Sequence, residues 1–186
     1  MKRQDFKIEI CANSVESCLA AMEGGADRVE LCASMPEGGV TPSYGEIVVA
    51  RRRLTSLRLH VMIRPRGGDF VYSKLELERM ALDIDEAKEL GADGVVFGCL
   101  HSAGTIDLAA NRMLMEHVGN MSTTFHRAFD RCADAEDSLE KIIDLGFGRV
   151  LTSGQQHTAD KGVALLAKLN QQANGRIILL AGSGVN

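Results

Sequence analysis

The sequence predicts an α/β fold of the (β/α)8 TIM-barrel type, and three observations favour it. Short runs of Val, Ile and Leu alternate with helical patterns along the chain, as is typical of parallel sheets buried on both faces. A Gly-Ala-Asp-x-Val segment beginning at Gly25 recurs at Gly91 and, more loosely, at Gly146, where a helix C-cap followed at once by a strand would need glycine. No GxGxxG motif follows the first strand, and polar residues recur at the ends of several strands, which favours a barrel over an open sheet.

Seven strands and six helices are predicted in alternation. The strands are expected at residues 6–11, 28–32, 58–64, 94–98, 122–126, 148–152 and 176–181. The helices are expected near residues 14–24, 43–55, 73–90, 107–118, 134–145 and 159–173. Capping boxes at Ser43 with Glu46 and at Ser73 with Glu76 support two of the helix starts.

The chain is shorter than a complete barrel of this type. A barrel of this type typically needs about 250 residues, and the chain has 186. We therefore expect a single barrel domain over residues 1–186 that is truncated after strand seven and lacks the last helix and the eighth strand.

Composition narrows the classes of partner. A net charge of −4 and a pI near 5.7 argue against nucleic acid, which requires a basic face. The N-terminus has no apolar signal segment, and the apolar runs are too short to cross a membrane. The five cysteines form no CxxC pair, as is usual in a reducing compartment. We expect a cytoplasmic protein with neither nucleic acid nor membrane as a partner.

One short pattern occurs twice near the start of the chain. Residues 8–11 read Ile-Glu-Ile-Cys, and residues 29–32 read Val-Glu-Leu-Cys. Alternate residues of a strand share a face, and a buried carboxylate costs several kcal/mol unless it is paired or liganded. The pattern therefore indicates a site, and because thiolates select Cu(I), Cys11 and Cys32 are its candidate metal ligands. Met62 and His126 are held in reserve as further ligands.

A second interpretation is an enzyme that acts on a small anionic metabolite. Glu9 or Glu30 would act as the general base and His126 as the acid, while Arg64 and Arg66 would clamp a carboxylate or phosphate. The other candidate anion-binding residues are Asp69, Arg127, Ser153 and Gly182.

Simpler structural roles remain open for several of these residues. Glu9 and Glu30 would also be satisfied by a buried ion network with Arg64 or Arg127. His60 stands at the start of its strand, where a structural role is expected. The remaining cysteines are expected to be small buried apolar residues: Cys18, Cys99 and Cys132.

The chain resembles the CutC family, cytosolic proteins named for copper homeostasis. The matching segments are residues 9–17, 24–32, 37–43, 61–70, 91–98, 124–130 and 150–155. The resemblance implies a (β/α)8 barrel, a cytoplasmic address, copper binding and a homo-oligomer, expected to be a dimer. It also implies that Cys11 and Cys32 are the thiols offered to copper, and that one barrel mouth is lined by Glu9, Glu30, Arg64, His126 and Arg127. The family usually has three consecutive glycines where this chain has Gly-Ser-Gly at residues 182–184.

Overall fold

The structure is a computed structural model that describes residues 6–185. Strands β1 to β7 occupy Glu9–Ala12, Arg28–Leu31, Arg58–Met62, Gly94–Phe97, Ser122–Phe125, Arg149–Thr152 and Ile178–Ala181. Helices α1 to α6 occupy Val15–Glu23, Tyr44–Arg53, Lys74–Glu89, Leu108–Val118, Ala135–Asp144 and Val163–Ala173. Every predicted strand and helix overlaps an observed one. Two short 3₁₀ turns, at Met35–Glu37 and Arg127–Arg131, were not predicted, because three to five residues are too few to show a periodic pattern.

The described chain divides into two compact units. The first consists of residues 6–68 with Glu78–Val96 and Asn120–Ser122, and the second of Asp69–Leu77, Phe97–Gly119 and residues 123–185.

Parallel strands form the centre of each unit. In the first unit β1, β2, β3 and β4 pair in chain order, which sets Cys11 level with Glu30 and Glu30 level with His60. In the second unit β5, β6 and β7 pair in the same way. Parallel neighbours joined by helices define an α/β fold, so the predicted α/β class is confirmed.

The predicted helix starts have the expected local chemistry. The Glu46 amide donates to Ser43 Oγ over 3.3 Å. At the start of α3, the Ser73 amide donates to Glu76 Oε2 over 2.7 Å and the Glu76 amide donates to Ser73 Oγ over 3.3 Å. These bonds satisfy amides that have no partner within the helix, so both predicted capping boxes lie at helix starts.

The repeated glycine segment also has the predicted geometry. The φ angles at Gly25, Gly91 and Gly146 are +79°, +81° and +87°, a left-handed conformation that glycine adopts without a steric penalty. A strand follows each of these turns within a few residues. The three turns therefore return the chain from helix to strand.

Two further observations bear on the predicted roles. His60 is fully buried and lies against Gly94, where an added Cβ would be 2.6 Å from the imidazole Nε2. This packing fits the structural role expected for His60. Within residues 6–185, no helix is both long enough and apolar enough to span a membrane.

Candidate metal centre

Three sulfur atoms meet in the first unit, at the ends of β1 and β2. Cys11 Sγ lies 3.6 Å from Cys32 Sγ, and Met35 Sδ lies 3.4 Å from Cys32 Sγ and 3.8 Å from Cys11 Sγ. A point equidistant from the three sulfurs is about 2.1 Å from each, close to the bond of about 2.3 Å that thiolate sulfur makes to zinc. A metal ion could therefore bind all three sulfurs with small side-chain adjustments.

Met35 reaches the two thiols because the chain turns sharply after β2. Ser34 has φ +51°, an uncommon conformation for a residue with a Cβ. The bend is held by paired backbone hydrogen bonds of 2.9 Å between Ala33 and Val40. Met62 was predicted as a reserve ligand, whereas Met35 was not predicted. The structure places Met62 with Cys32 in the buried core, and Met35 beside both thiols.

Arg64 holds the loop that carries Met35. Its Nη1 donates to the carbonyls of Glu37 (2.7 Å) and Gly39 (2.9 Å), and its Nη2 donates to the carbonyl of Gly68 (3.0 Å). An added Cβ at Gly39 would be 3.3 Å from the sulfur of Cys32, so the loop lies tightly on that thiol. Arg64 is therefore a positioning residue for the sulfur cluster, and the predicted anion clamp by Arg64 and Arg66 stays a prediction.

Glu30 is the polar neighbour of the sulfur atoms. Its Oε1 is 3.5 Å from Cys11 Sγ, and its buried Oε2 has no hydrogen-bond partner among the described residues. Burial is the main cause that raises the pKa of this carboxyl well above its usual range, and the nearby negative charge of Glu9 adds to it. A protonated, uncharged Glu30 is the form that this environment favours.

The two thiols differ in acidity. The hydrogen bond between the two sulfur atoms lowers the pKa of Cys32. The same hydrogen bond, together with partial desolvation of the sulfur and the nearby charge of Cys32, raises the pKa of Cys11. The first thiolate of the pair therefore forms at Cys32, and a metal ion that binds both sulfurs must displace the proton of Cys11.

The raised pKa of Glu30 predicts a pH dependence of stability. Because folded Glu30 keeps its proton above the unfolded value of 4.5, its contribution to stability is complete below that pH and falls as pH rises through the folded pKa. Glu30→Gln removes this fall. As pH rises, the unfolding free energy of the metal-free wild type should therefore fall relative to that of Glu30→Gln. The total change in this difference should be about 1.4 kcal/mol for each unit by which the folded pKa is raised.

Chemical denaturation in reductant, repeated from pH 4.5 to mildly alkaline pH, measures this difference. Glu23→Gln on the exposed side of α1 is the matched control and should track the wild type throughout. A constant difference between Glu30→Gln and the wild type would show that Glu30 has no elevated pKa.

The predicted ion pairing of Glu9 with Arg64 or Arg127 is wrong. The Glu9 carboxylate is paired with the Arg28 guanidinium on the neighbouring strand, and only 7% and 10% of the two side chains are exposed. The two residues lie directly opposite in the β1–β2 register, so the ion pair forms across adjacent strands rather than with Arg64 or Arg127. Glu9 is held as a buried structural carboxylate, and a role as general base stays a prediction.

His126 lies in the second unit, in an aromatic setting. It is 3% exposed, and its ring centroid is 4.8 Å from that of Phe70 and 6.0 Å from that of Phe125. Its Nδ1 accepts the Ala128 amide hydrogen over 3.3 Å, which places the proton of a neutral ring on Nε2. An acid role for His126 stays a prediction.

The remaining predicted anion-binding residues also belong to the second unit. Arg127 Nε donates to Asp130 Oδ2 over 2.8 Å, and Arg127 Nη2 donates to Ser153 Oγ over 3.1 Å. Asp69 Oδ1 accepts the Val71 amide hydrogen over 3.2 Å. The Gly182 amide donates to the carbonyl of Thr152 over 3.1 Å, which uses the amide that an anion would need. The structure thus brings Arg127 and Ser153 together, and the single shared mouth stays a prediction.

A family model and several known proteins match this chain in sequence. The model of the CutC family matches residues 6–186. A family protein CutC of Bacteroides thetaiotaomicron is 64% identical over 186 residues, which are 100% of this chain and 74% of that protein. Its counterpart in Bacteroides fragilis is 62% identical over 183 residues, covering 98% of this chain and 73% of the relative.

A solved structure agrees with the fold as well. The crystal structure of a CutC protein from Streptococcus agalactiae, provisionally assigned to copper homeostasis, superimposes with a TM-score of 0.91 at 37% sequence identity. The superposition covers 96% of this chain and 88% of that one. Fold and site together define an α/β protein of the TIM-barrel type with a cluster of sulfur atoms at the ends of its first two strands. The chain belongs to the CutC family, as its sequence motifs predicted.

Proposed function

We propose that this protein takes part in copper homeostasis by binding one Cu(I) ion between the sulfur atoms of Cys11, Cys32 and Met35. The observation that carries the proposal is the triangle of sulfurs, with sides of 3.4, 3.6 and 3.8 Å. Thiolates and thioethers are the soft ligands that select Cu(I). The CutC relative from Streptococcus agalactiae is itself provisionally assigned to copper homeostasis.

The donor set favours copper over harder ions. Structural zinc sites are almost always tetrahedral and draw on Cys, His or a carboxylate. Among residues 6–185, no group of three or more His, Cys, Asp or Glu side chains is arranged to hold a metal ion. The third ligand available here is a thioether, which suits Cu(I) and is a poor donor to hard cations.

Charge and access also fit a site for a transferable ion. Two thiolates and one Cu(I) carry a net charge of −1, and a protonated Glu30 adds no further negative charge. Cys11 is exposed and Met35 is 43% exposed, whereas Cys32 is buried. A copper ion would therefore meet Cys11 and Met35 first and would leave by the same side.

The proposal also includes a cytoplasmic location and a dimeric state. The support for the location is that all five cysteines are free thiols, as a reducing compartment keeps them. The support for a homodimer is the family resemblance. Sedimentation of the metal-free protein tests the dimer.

An anaerobic titration with Cu(I), in competition with a chromophoric chelator, tests the proposed function. We expect one equivalent of Cu(I) to be withdrawn from the chelator, because the cluster offers one trigonal set of sulfurs. A protein that leaves the chelator fully loaded would contradict the proposal.

The third ligand is tested by comparing two methionines. Met35→Leu should weaken Cu(I) binding by about tenfold, the equivalent of about 1.4 kcal/mol, because one neutral donor is lost while both thiolates remain. Met62→Leu is the matched control, since Met62 was held in reserve as a ligand and lies in the core beside Cys32. The same competition titration should find its affinity unchanged. A loss in Met62→Leu, with Met35→Leu unchanged, would assign the third position to Met62.

A further inference from the structure

A cavity lies in the second unit, at the carboxyl ends of β5, β6 and β7. Its volume is about 400 Å³, within the range of about 300–1,000 Å³ typical of small-molecule sites. Every side chain that lines it is polar or charged, in contrast to the apolar lining of most ligand pockets. The cationic and imidazole groups among them are Arg127, Arg131 and His157.

The balance of charge at this cavity is positive. Asp130 is the one carboxylate in the lining, and it is already engaged. It pairs with Arg127 over 2.8 Å and accepts hydrogen bonds from the amides of Ser153 and Gln155, each over 3.1 Å. Within residues 6–185 the Arg131 guanidinium makes no ion pair. One positive charge is thus left to face the cavity.

Arg127, one of the two arginines of the cavity, is held rigidly. Arg127 is held from two sides, by Asp130 and by the hydroxyl of fully buried Ser153. Asp130 is itself fixed by a 2.5 Å hydrogen bond from Thr152 Oγ1, and only 8% of its side chain is exposed. A guanidinium fixed in this way loses little conformational entropy when it binds a second oxyanion.

Two residues of the cavity have strained backbone angles. Gln155 has φ +57° and Ser183 has φ +79°, and both residues line the cavity. Such conformations cost of order 1–3 kcal/mol for residues with a Cβ, and they persist where the surroundings fix them. The fixing contacts are hydrogen bonds from Gln155 Nε2 to the carbonyl of Cys132 (2.8 Å) and from Ser183 Oγ to the carbonyl of His157 (3.1 Å).

We propose that this cavity binds a small hydroxylated molecule through its phosphate or carboxylate group, with Arg131 as the main cationic contact. Guanidinium groups bind both oxyanions through paired hydrogen bonds. The side-chain amides of Gln155 and Gln156 and the hydroxyl of Ser183 can form hydrogen bonds with the hydroxyl groups of such a ligand. The cavity is also larger than one inorganic anion would fill. The ligands proposed for copper belong to the first unit. The experiments that test this cavity are therefore independent of those that test the proposed function.

Calorimetric titration of the metal-free full chain at constant ionic strength tests the proposal. The probes are glycerol 3-phosphate, L-malate, inorganic phosphate and uncharged glycerol. Comparing the first two distinguishes a phosphate from a carboxylate ligand. Inorganic phosphate and glycerol show how much the anionic group and the hydroxylated part of the ligand each contribute to binding. We expect saturable one-to-one binding of glycerol 3-phosphate or of malate. Binding should be at least about tenfold tighter than that of inorganic phosphate, a difference of about 1.4 kcal/mol, and glycerol should not bind.

Two arginine variants locate the site. Arg131→Gln should lower the affinity for the probe by about tenfold or more. Arg112→Gln, which removes the same charge from the exposed side of α4, should leave the affinity unchanged. A Cys11→Ser/Cys32→Ser variant should bind the probe as the wild type does. Absence of saturable binding by both organic anions, or equal weakening in Arg131→Gln and Arg112→Gln, would overturn the proposal.

Discussion

Replacing Cys11 and Cys32 together by serine is expected to lower the affinity for Cu(I) by at least about a thousandfold, equivalent to about 4 kcal/mol. Serine keeps the size of the side chain but replaces soft thiolate sulfur with a hard hydroxyl that stays protonated at neutral pH. Met35 would remain as the one soft ligand of the cluster. Competition with a chromophoric chelator under anaerobic conditions measures the change.

The control for this variant is a buried cysteine outside the sulfur cluster. Cys132 lies in the second unit and contacts the carbonyl of Ala128 over 3.7 Å, a bond that a serine hydroxyl can also make. Cys132→Ser should retain the affinity of the wild type. Equal affinity in the double variant and in the wild type would exclude Cys11 and Cys32 as the copper ligands.

Removing the guanidinium of Arg28 is expected to destabilise the protein by about 3–5 kcal/mol, the usual cost of leaving one member of a buried ion pair without its partner. The Glu9–Arg28 pair is suited to such an effect because both side chains are about nine-tenths buried. The variant Arg28→Met keeps much of the side-chain volume and removes the charge. Chemical denaturation of the metal-free protein near pH 7 measures the loss of unfolding free energy.

A second substitution shows whether the loss comes from the stranded carboxylate. In Glu9→Gln/Arg28→Met the buried charge is absent, so most of the lost stability should return. A double variant as unstable as Arg28→Met alone would show that Arg28 acts through packing and not through its charge on Glu9. Recovery would support a structural role for Glu9, in place of the general base that the sequence suggested.

The sequence indicated the fold because the fold depends on local, repeated signals. Hydrophobic runs, capping boxes and the glycine turns at Gly25, Gly91 and Gly146 each act over a few residues, and each appears in the structure where it was expected. The sequence also singled out Cys11 and Cys32, because a carboxylate and a thiol repeat in two neighbouring strands. Their sulfur separation of 3.6 Å depends on strand register, which the sequence does not state.

Register explains the missed ion pair as well. Glu9 and Arg28 lie opposite each other because of how β1 pairs with β2, and no local pattern marks that alignment. Met35 was missed for a different reason. Its sulfur returns to the thiols through a left-handed turn at Ser34, a residue type that rarely signals one. The spacing Cys32-x-x-Met35 is the one sequence feature that would have suggested it.

The cavity in the second unit shows a third limit of sequence reasoning. Arg127 and Ser153 were picked out from their positions after strands, whereas Arg131, Gln155 and Ser183 were not recognised as a group. They converge through three separate turns, two of which have strained backbone angles. Tertiary structure alone brings such residues together.

X-ray absorption at the copper K-edge of the Cu(I)-loaded protein tests the central claim most directly. The three-sulfur site predicts a first shell of three sulfur atoms at about 2.3 Å, the usual length of a metal–thiolate bond, and a shell reduced to two sulfurs in Met35→Leu. A first shell made of nitrogen or oxygen would contradict copper binding by Cys11, Cys32 and Met35.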